Sequence, residues 1–342
     1  MRMKDLKVNS FDIAFRAGVS QSTVSRALRN SPLVNRETRE KVQAIARELN
    51  YKVDKSAANL RSQTTHTIAL LLFEDPTSDD SMINPFFLSM LGSVTRAAAA
   101  RGYDLLVSFQ QLDQDWHNEY EVSHRADGMI LLGYGDYISY ANKLQQLAAA
   151  DAHFVIWGPI IEGQPGHSIG CDNKKGGYEA TRHLIQAGRK NIAYIGDASA
   201  HAPEFKLRFE GYEKALAESG LATSKKLFFA ADNQECSGTA AVEKMLGSKV
   251  EVDGIFAASD IIAIGVIQTL QKHGINVPQD ISVVGFDDIP AASYMNPPLT
   301  TIRQDTQLAG KILVDKLINS IEGKAVDSEL ITPSLVIRSS CS

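Results

Sequence analysis

The sequence predicts a small all-α helix-turn-helix headpiece followed by an α/β core of two doubly wound parallel-sheet lobes. Three observations carry this. A helix-turn-helix pattern lies near the amino end, positive charge is confined to that end, and from Thr67 onward short apolar runs alternate with amphipathic stretches. At 342 residues, 44% hydrophobic and 22% charged, the chain suits two or three domains. The expected boundaries are a headpiece at 1–52, a hinge at 53–65 and a core at 66–342. Within the core the first lobe is expected at about 66–160 and 292–322, and the second at about 161–291 and 323–342.

In the headpiece, Asn9 is placed to cap a first helix, with Asp12 three residues on to reach back to the open amides. Phe11, Ile13 and Ala14 supply its expected apolar face, and Gly18 suits the positive φ of a tight exit turn. Ser20 then caps a second helix in which Val24, Ala27 and Leu28 recur at i, i+3 and i+4 and face inward. That leaves Gln21, Ser22, Ser25, Arg26 and Arg29 outward, with Thr23 beside them. Gln, Ser and Arg match the donor and acceptor patterns that base pairs present in a major groove. The plain alternative is a helical hairpin with a solvated polar face. Asn35 caps a third helix, whose Val42, Ile45, Ala46 and Leu49 close a three-helix core ending at Tyr51.

Charge sharpens the choice. The chain carries −5 overall, yet residues 1–64 hold 13 Lys+Arg against 6 Asp+Glu, leaving 22 against 34 in the rest. A basic end on an acidic protein makes physical sense where only that end meets phosphate. Residues 52–65 are too polar for an independent helix, although Asp54 could cap a short turn carrying Ala57, Ala58 and Leu60; a segment poised between coil and helix suits a switch.

In the core, strands are expected at Ile68–Phe73, Leu105–Phe109, Gly128–Leu132, Phe154–Trp157, Ile192–Ile195, Gly254–Ala257 and Ile281–Gly285. Helices are expected at Phe86–Ala100, Gly177–Ala187, Lys206–Glu218, Ile261–His273 and Thr306–Ile321. The lobes should part in the Pro/Gly-rich stretch Gly158–Gly166, and the chain should return near Ile289–Pro298. Two such lobes put a cleft at the carboxyl ends of their strands.

Several classes are disfavoured. Met1-Arg2-Met3-Lys4 leads into polar residues rather than a secretory apolar region, and no apolar run is long enough for a membrane span. Cys171, Cys236 and Cys341 are odd in number and scattered, as expected of reduced thiols in a cytoplasm. No zinc-type cluster, P-loop or G-x-S-x-G occurs, and His117, His124, His201 and His273 share no ligand spacing, so neither metal nor cofactor is expected.

These residues together resemble the lactose-repressor (LacI/GalR) family of bacterial regulators over essentially the whole chain. The motifs are Val19-Ser20…Thr23-Val24-Ser25-Arg26-Ala27-Leu28, Arg47-Glu48-Leu49-Asn50-Tyr51, Asn59-Leu60-Arg61 and Asn84-Pro85-Phe86-Phe87. Further on come Arg208-Phe209-Glu210-Gly211-Tyr212, Ala258-Ser259-Asp260-Ile261-Ile262-Ala263, Val284-Gly285-Phe286-Asp287-Asp288 and Pro297-Pro298-Leu299-Thr300-Thr301-Ile302. The resemblance implies a headpiece dimer that reads a pseudo-palindromic double-stranded operator, and a periplasmic-binding-protein-like core that senses a small molecule. It places Gln21, Ser22 and Arg26 toward the major groove, and Leu60, with Asn59 beside it, at the hinge leucine that wedges into the minor groove. One departure is Val53, where many members carry Pro.

For the effector cleft, the resemblance implies Asn84, Phe87, Tyr134, Trp157, Glu204, Arg208, Asp260 and Asp287. Carboxylates, amides and guanidinium groups pair with vicinal hydroxyls while aromatic faces cover C–H surfaces, which suits a sugar. Against this, Asp260 could simply cap the helix at Ile261, Arg208 could be a solvated helix charge, and Trp157 could be core. The expected function is a cytoplasmic, homodimeric, sugar-controlled repressor of carbohydrate genes. The alternatives are a transport-type sugar-binding protein, which leaves the basic headpiece unexplained, and a regulator of a non-sugar ligand such as a purine. An α/β enzyme would need a nucleophile–base pair or cofactor motif that the sequence lacks. No carboxy-terminal Leu heptad follows the last strand, so a dimer is expected rather than a tetramer.

Overall fold

The computed structural model describes residues 8–51, 64–73, 83–110, 113–133 and 137–341. The expected hinge with Lys55, Asn59 and Leu60, the loop 75–81 and Tyr134 lie outside the described residues. The chain forms two compact units, Met1–Thr65 and His66–Ser342.

The first unit holds α1 (Ser10–Ala17), α2 (Gln21–Leu28) and α3 (Arg36–Glu48). Each begins on a side-chain cap. Asn9 accepts from the Phe11 and Asp12 amides while Asp12 reaches back to the Asn9 amide, Ser20 accepts from Thr23, and Asn35 accepts from Thr38. Gly18 ends α1 at φ 69°, ψ 33°, the left-handed exit that a side chain would oppose. The core is small: Ile13, Ala14, Ala17, Val24, Ala27, Val34, Val42 and Ala46, with Leu28, Ile45, Leu49 and Tyr51 packed around it. Phe11 departs from expectation, because its ring is 65% exposed. Positions 11 and 13 stand about 200° apart on a helix, so α1 buries Ile13, Ala14 and Ala17 and turns Phe11 outward.

The second unit contains two six-stranded sheets. The first runs β11-β5-β4-β3-β1-β2, built from β1 (Thr67–Phe73), β2 (Asp104–Gln110), β3 (Gly128–Leu132), β4 (Phe154–Trp157), β5 (His167–Cys171) and β11 (Glu329–Ile331). The second runs β12-β10-β9-β8-β6-β7, from β6 (Ile192–Ile195), β7 (Phe228–Phe229), β8 (Gly254–Ala257), β9 (Ser282–Asp287), β10 (Thr300–Arg303) and β12 (Ser334–Val336). All pairings are parallel except β10–β12. Along β1, Ile68, Leu70 and Leu72 enter one apolar cluster and Ala69 and Leu71 another, because helices cover both faces.

The helices are α4 (Pro85–Ala100), α5 (Tyr137–Ala149), α6 (Asn173–Gln186), α7 (Pro203–Glu218), α8 (Glu235–Gly247), α9 (Asp260–Lys272) and α10 (Thr306–Ile321). α4 and α10 pack together on the first sheet, while α6 and α7 pair beside the second, as do α8 and α9. Among the described residues no helix is long and apolar enough to cross a membrane.

The lobe boundaries differ from those expected. β5 still belongs to the first sheet, so the chain leaves that lobe at Asp172 rather than in Gly158–Gly166. β10 still belongs to the second sheet, so the return comes at Gln304–Asp305 rather than near Ile289–Pro298. A third crossing at Thr332–Pro333 joins β11 to β12. The Pro/Gly-rich stretches turn within lobes, and the true crossings are links of one or two residues with no linker composition.

Candidate DNA-reading helix and ligand cleft

On α2, burial of Val24 and Ala27 fixes which residues face outward. Ser22, Arg26 and Arg29 are exposed, and Gln21, Thr23 and Ser25 are half-buried. The polar groups differ in readiness. The Gln21 amide donates to Ser10 Oγ at 2.8 Å, tying α2 to the start of α1. Ser20 Oγ lies 2.8 Å from Ser22 Oγ and 2.9 Å from Thr23 Oγ1, which gathers those hydroxyls around the cap. Arg29 folds back to donate to Ser25 Oγ at 3.0 Å. Arg26 makes no side-chain hydrogen bond or ion pair among the described residues, so its planar fork is available to a base edge.

In the core, the polar groups converge at the carboxyl ends of β8, β9 and β10, where open parallel sheets hold ligands. α7 delivers Arg208, and two glycines let it do so. A Cβ on Gly177 would stand 2.1 Å from the Arg208 carbonyl oxygen, and one on Gly211 would stand 2.1 Å from that of Lys174. Only bare backbones allow α6 and α7 to cross so closely. Arg208 is 4% exposed. Its Nε donates to Asn173 Oδ1 at 2.9 Å, and Nη1 donates to the Ala258 carbonyl at the end of β8. Its Nη2 lies 3.5 Å from Asp287 Oδ1, and the guanidinium sits 3.7 Å from the centre of the Phe286 ring. A buried cation is tolerable here because acceptors and aromatic faces meet it on several sides.

Asp287 ends β9 and accepts from Gln304 Nε2 at 2.7 Å. Burial raises its carboxyl to about 6, with Arg208 and Gln304 opposing the rise and Glu204 adding to it. The Glu204 effect places that residue, in the first turn of α7, within electrostatic reach of the pair.

Asp260 does not stand in the cleft as expected. It is fully buried, with Oδ1 taken by the Thr301 hydroxyl at 2.5 Å and Oδ2 by the Ile289 amide at 2.9 Å. Burial, aided by Asp287, pushes its carboxyl well above the ordinary range. Nor is it the helix cap: Ser259 fills that role toward Ile262. Asp260 braces the strand ends from beneath, in space left by Gly285, whose Cβ would stand 2.3 Å from Oδ1.

In the first lobe, Asn84 is buried and caps α4 by accepting from the Phe86 amide at 2.9 Å. The half-buried Phe87 ring lies against Gly133. Trp157 is 6% exposed and packs 6.0 Å from Phe86, centre to centre, so it is a core residue. Phe86, Asp287 and Gln304 border one cavity of about 510 Å³, which brings the first turn of α4 to the same space as the second-lobe carboxylate. The lobes also meet where the Tyr137 amide donates to the His201 carbonyl at 3.1 Å. Asn173, Phe286 and Gln304 complete the site and were not anticipated there; the local signals were Gly176-Gly177 soon after Asn173 and the motif at 284–288 around Phe286.

Comparison with known proteins accords with this geometry. A family described as bacterial regulatory proteins, lacI family, matches residues 11–54, and a periplasmic binding protein-like domain matches residues 181–341. The ribose operon repressor of Escherichia coli (strain K12) is 32% identical over 336 residues, 96% of this chain and 98% of that protein. The transcriptional repressor PurR of Aliivibrio salmonicida (strain LFI1238) is 30% identical over 334 residues, covering 96% of this chain and 97% of its own. Among solved structures, the lac repressor dimer bound to operator and the anti-inducer ONPF superposes with TM-score 0.82 at 27% identity, covering 98% of this chain and 99% of that one. The transcriptional regulator CelR in complex with cellobiose gives TM-score 0.73 at 28% identity, covering 97% and 99%. With relatives this similar along nearly its whole length, the chain belongs to the LacI family of bacterial transcriptional regulators.

Proposed function

We propose that this regulator is a homodimeric, cytoplasmic repressor of carbohydrate genes, released from or fixed to its operator by a neutral sugar, and that it catalyses no reaction. The observation that carries the sugar reading is the buried Arg208–Asp287 pair on the face of Phe286, with Asn173 and Gln304 around it. Such a set offers donors and acceptors in the alternation that vicinal hydroxyls need, and an aromatic surface for C–H groups. Asn84, Phe87 and Tyr134 would meet the ligand from the first lobe, and Glu204 from the second. In the headpiece Arg26, Ser22 and Gln21 would read base edges, Thr23, Ser25 and Arg29 would adjoin the backbone, and Asn59 and Leu60 would enter the minor groove. Names among the relatives include both a ribose operon repressor and a transcriptional repressor PurR, and a non-sugar ligand such as a purine is the second reading.

The test is a thermal-shift screen of the full chain against mono- and disaccharides and purine bases. It is followed by operator mobility shifts with each hit, since a specific ligand raises the melting point by mass action. A sugar that both raises the melting point and changes operator affinity bears the reading out; a purine base as the only hit replaces it with the second reading.

A further inference from the structure

Asp287 and Asp288 are consecutive non-glycine residues at positive φ, 114° and 53°. Side-chain residues avoid that region, and where one is held there the surroundings must hold it. Here the holding groups are visible. Asp288 Oδ2 accepts from Arg303 Nε at 2.6 Å and Oδ1 accepts from Arg338 Nη2 at 2.6 Å. Arg338 is itself fixed by donating from Nη1 to the Leu299 carbonyl at 2.7 Å and from its amide to Thr300 Oγ1 at 2.9 Å. The next residue, Ile289, is anchored by its amide to Asp260.

Arg303 pairs with Asp287 in the β9–β10 register and is the last residue of β10, directly before the Gln304–Asp305 crossing. Gln304, in that crossing, donates to Asp287. The two neighbouring carboxylates thus hold consecutive residues at the start of the crossing, Asp287 holding Gln304 within the link and Asp288 holding Arg303, the strand residue that leads into it. Both carboxylates, both arginines and Gln304 border the 510 Å³ cavity, as does Phe86 of α4, so the link runs beside open space that residues of both lobes line.

We infer that Asp288, clamped between Arg303 and Arg338, is a positioning residue that holds the Asp287 backbone in its strained conformation and thereby sets the angle between the lobes. Asp288 need not touch the ligand. It keeps the Asp287 carboxylate aimed at Arg208 and Gln304, so a ligand that draws on Arg208 or Asp287 disturbs the grip on the crossing link. This rests on the reading of the core as a ligand-set switch, because it names the part through which the cleft would report lobe angle.

The test is run on the full chain without ligand, so that failure of every sugar to bind leaves it standing. Cys236 is exposed while Cys171 and Cys341 are buried, so one nitroxide goes on Cys236 in the second lobe and another on Gln145→Cys, an exposed site on α5 of the first. Interlobe distances are read by double electron–electron resonance, and hydrogen exchange is followed in peptides covering 286–290 and 302–306. The variants are Asp288→Asn, Arg303→Met, Arg303→Lys and the Asp288→Asn/Arg303→Met double. Arg303 is half-exposed and its side chain bonds only Asp288 among the described residues, so its removal spares the core. The expected result is a broadened or shifted interlobe distance and about tenfold faster exchange in both peptides for Asp288→Asn and Arg303→Met. Arg303→Lys should recover part of the change, and the double variant should be no worse than Asp288→Asn. Distances and exchange that stay at wild-type values in Arg303→Met overturn the inference. So does an Arg303→Met effect that is undiminished in the Asp288→Asn background. If Asp288→Asn fails to fold, the Arg303→Met and Arg303→Lys pair decides it.

Discussion

Two arginines mark the difference between the halves of this molecule. Arg26 in the headpiece is exposed and makes no side-chain bond among the described residues, whereas Arg208 in the core is 4% exposed and engages Asn173, Ala258, Asp287 and the face of Phe286. A surface that reads many sequences in turn needs donors not already committed, because any internal bond would have to be broken at each encounter. A buried sensor needs the opposite, since an unsatisfied charge there destabilises the fold before a ligand arrives. The same side chain is therefore uncommitted in one unit and held on several sides in the other.

The largest effect should separate the two. Arg208→Ala should lower the unfolding free energy of the core by about 3–5 kcal/mol by stranding Asp287, while Arg26→Ala leaves both units' stability within about 0.5 kcal/mol of wild type. Chemical denaturation followed at Trp116 and Trp157 measures the core, and equal losses in the two variants would erase the contrast. Next in size is operator recognition. Arg26→Ala should cost about 1–3 kcal/mol at one base position and relax the preference there, as read by competition among single-base operator variants. A uniform loss over all variants would make Arg26 a phosphate contact instead.

The carboxyl of Asp287 gives a third test, because burial lifts it to about 6. A folded-state value above the unfolded one means that its favourable contribution to core stability is full below the unfolded value and is lost as pH rises through about 6. Ligand binding runs the other way if the carboxylate accepts a hydroxyl. Sugar affinity should then fall below pH 6, toward tenfold per unit or about 1.4 kcal/mol, and Asp287→Asn should flatten that slope. Calorimetric titration between pH 5 and 8, roughly spanning this transition, checks it; a slope that survives in Asp287→Asn assigns the proton elsewhere. The smallest effect is local. Ser20→Ala should weaken the headpiece by about 1 kcal/mol by leaving the Thr23 amide without its cap, read from helical circular dichroism during denaturation.

The halves also differed in how openly the sequence described them. The headpiece is local: three caps and a 3.6-residue apolar rhythm specify it, and the one misplaced residue, Phe11, sits on a helix of eight residues where three buried positions already fill the inward face. Seven of the core's strands and most of its helices follow from the same rhythms, but β5, β10 and α5 were not expected, and neither were its long-range features. β7, β11 and β12 span only two or three residues, too few for a period to show, and α8 carries small residues on the face it packs against α9. The lobe crossings hid between nearly abutting regular elements, because no flexible composition is needed where one or two residues suffice. In the site, Arg208 and Asp287 come together, while Asp260 turned out to be a brace; telling a ligand carboxylate from a buried one requires knowing that Thr301 and the Ile289 amide already occupy it.

The three crossings have a mechanical consequence. Asp172, Gln304–Asp305 and Thr332–Pro333 each span about one or two residues, at most roughly 3.5 Å of reach apiece per residue. The first and third are laced together, since the Asp172 amide donates to the Ile331 carbonyl at 3.0 Å. The third also adjoins the second, since Ser334 at its end pairs with Arg303 just before the Gln304–Asp305 link. Three short straps in one row resist sliding and separation and leave bending about that row as the easy motion, so a ligand that changes the width of the cleft mouth would turn the far ends of the lobes as well.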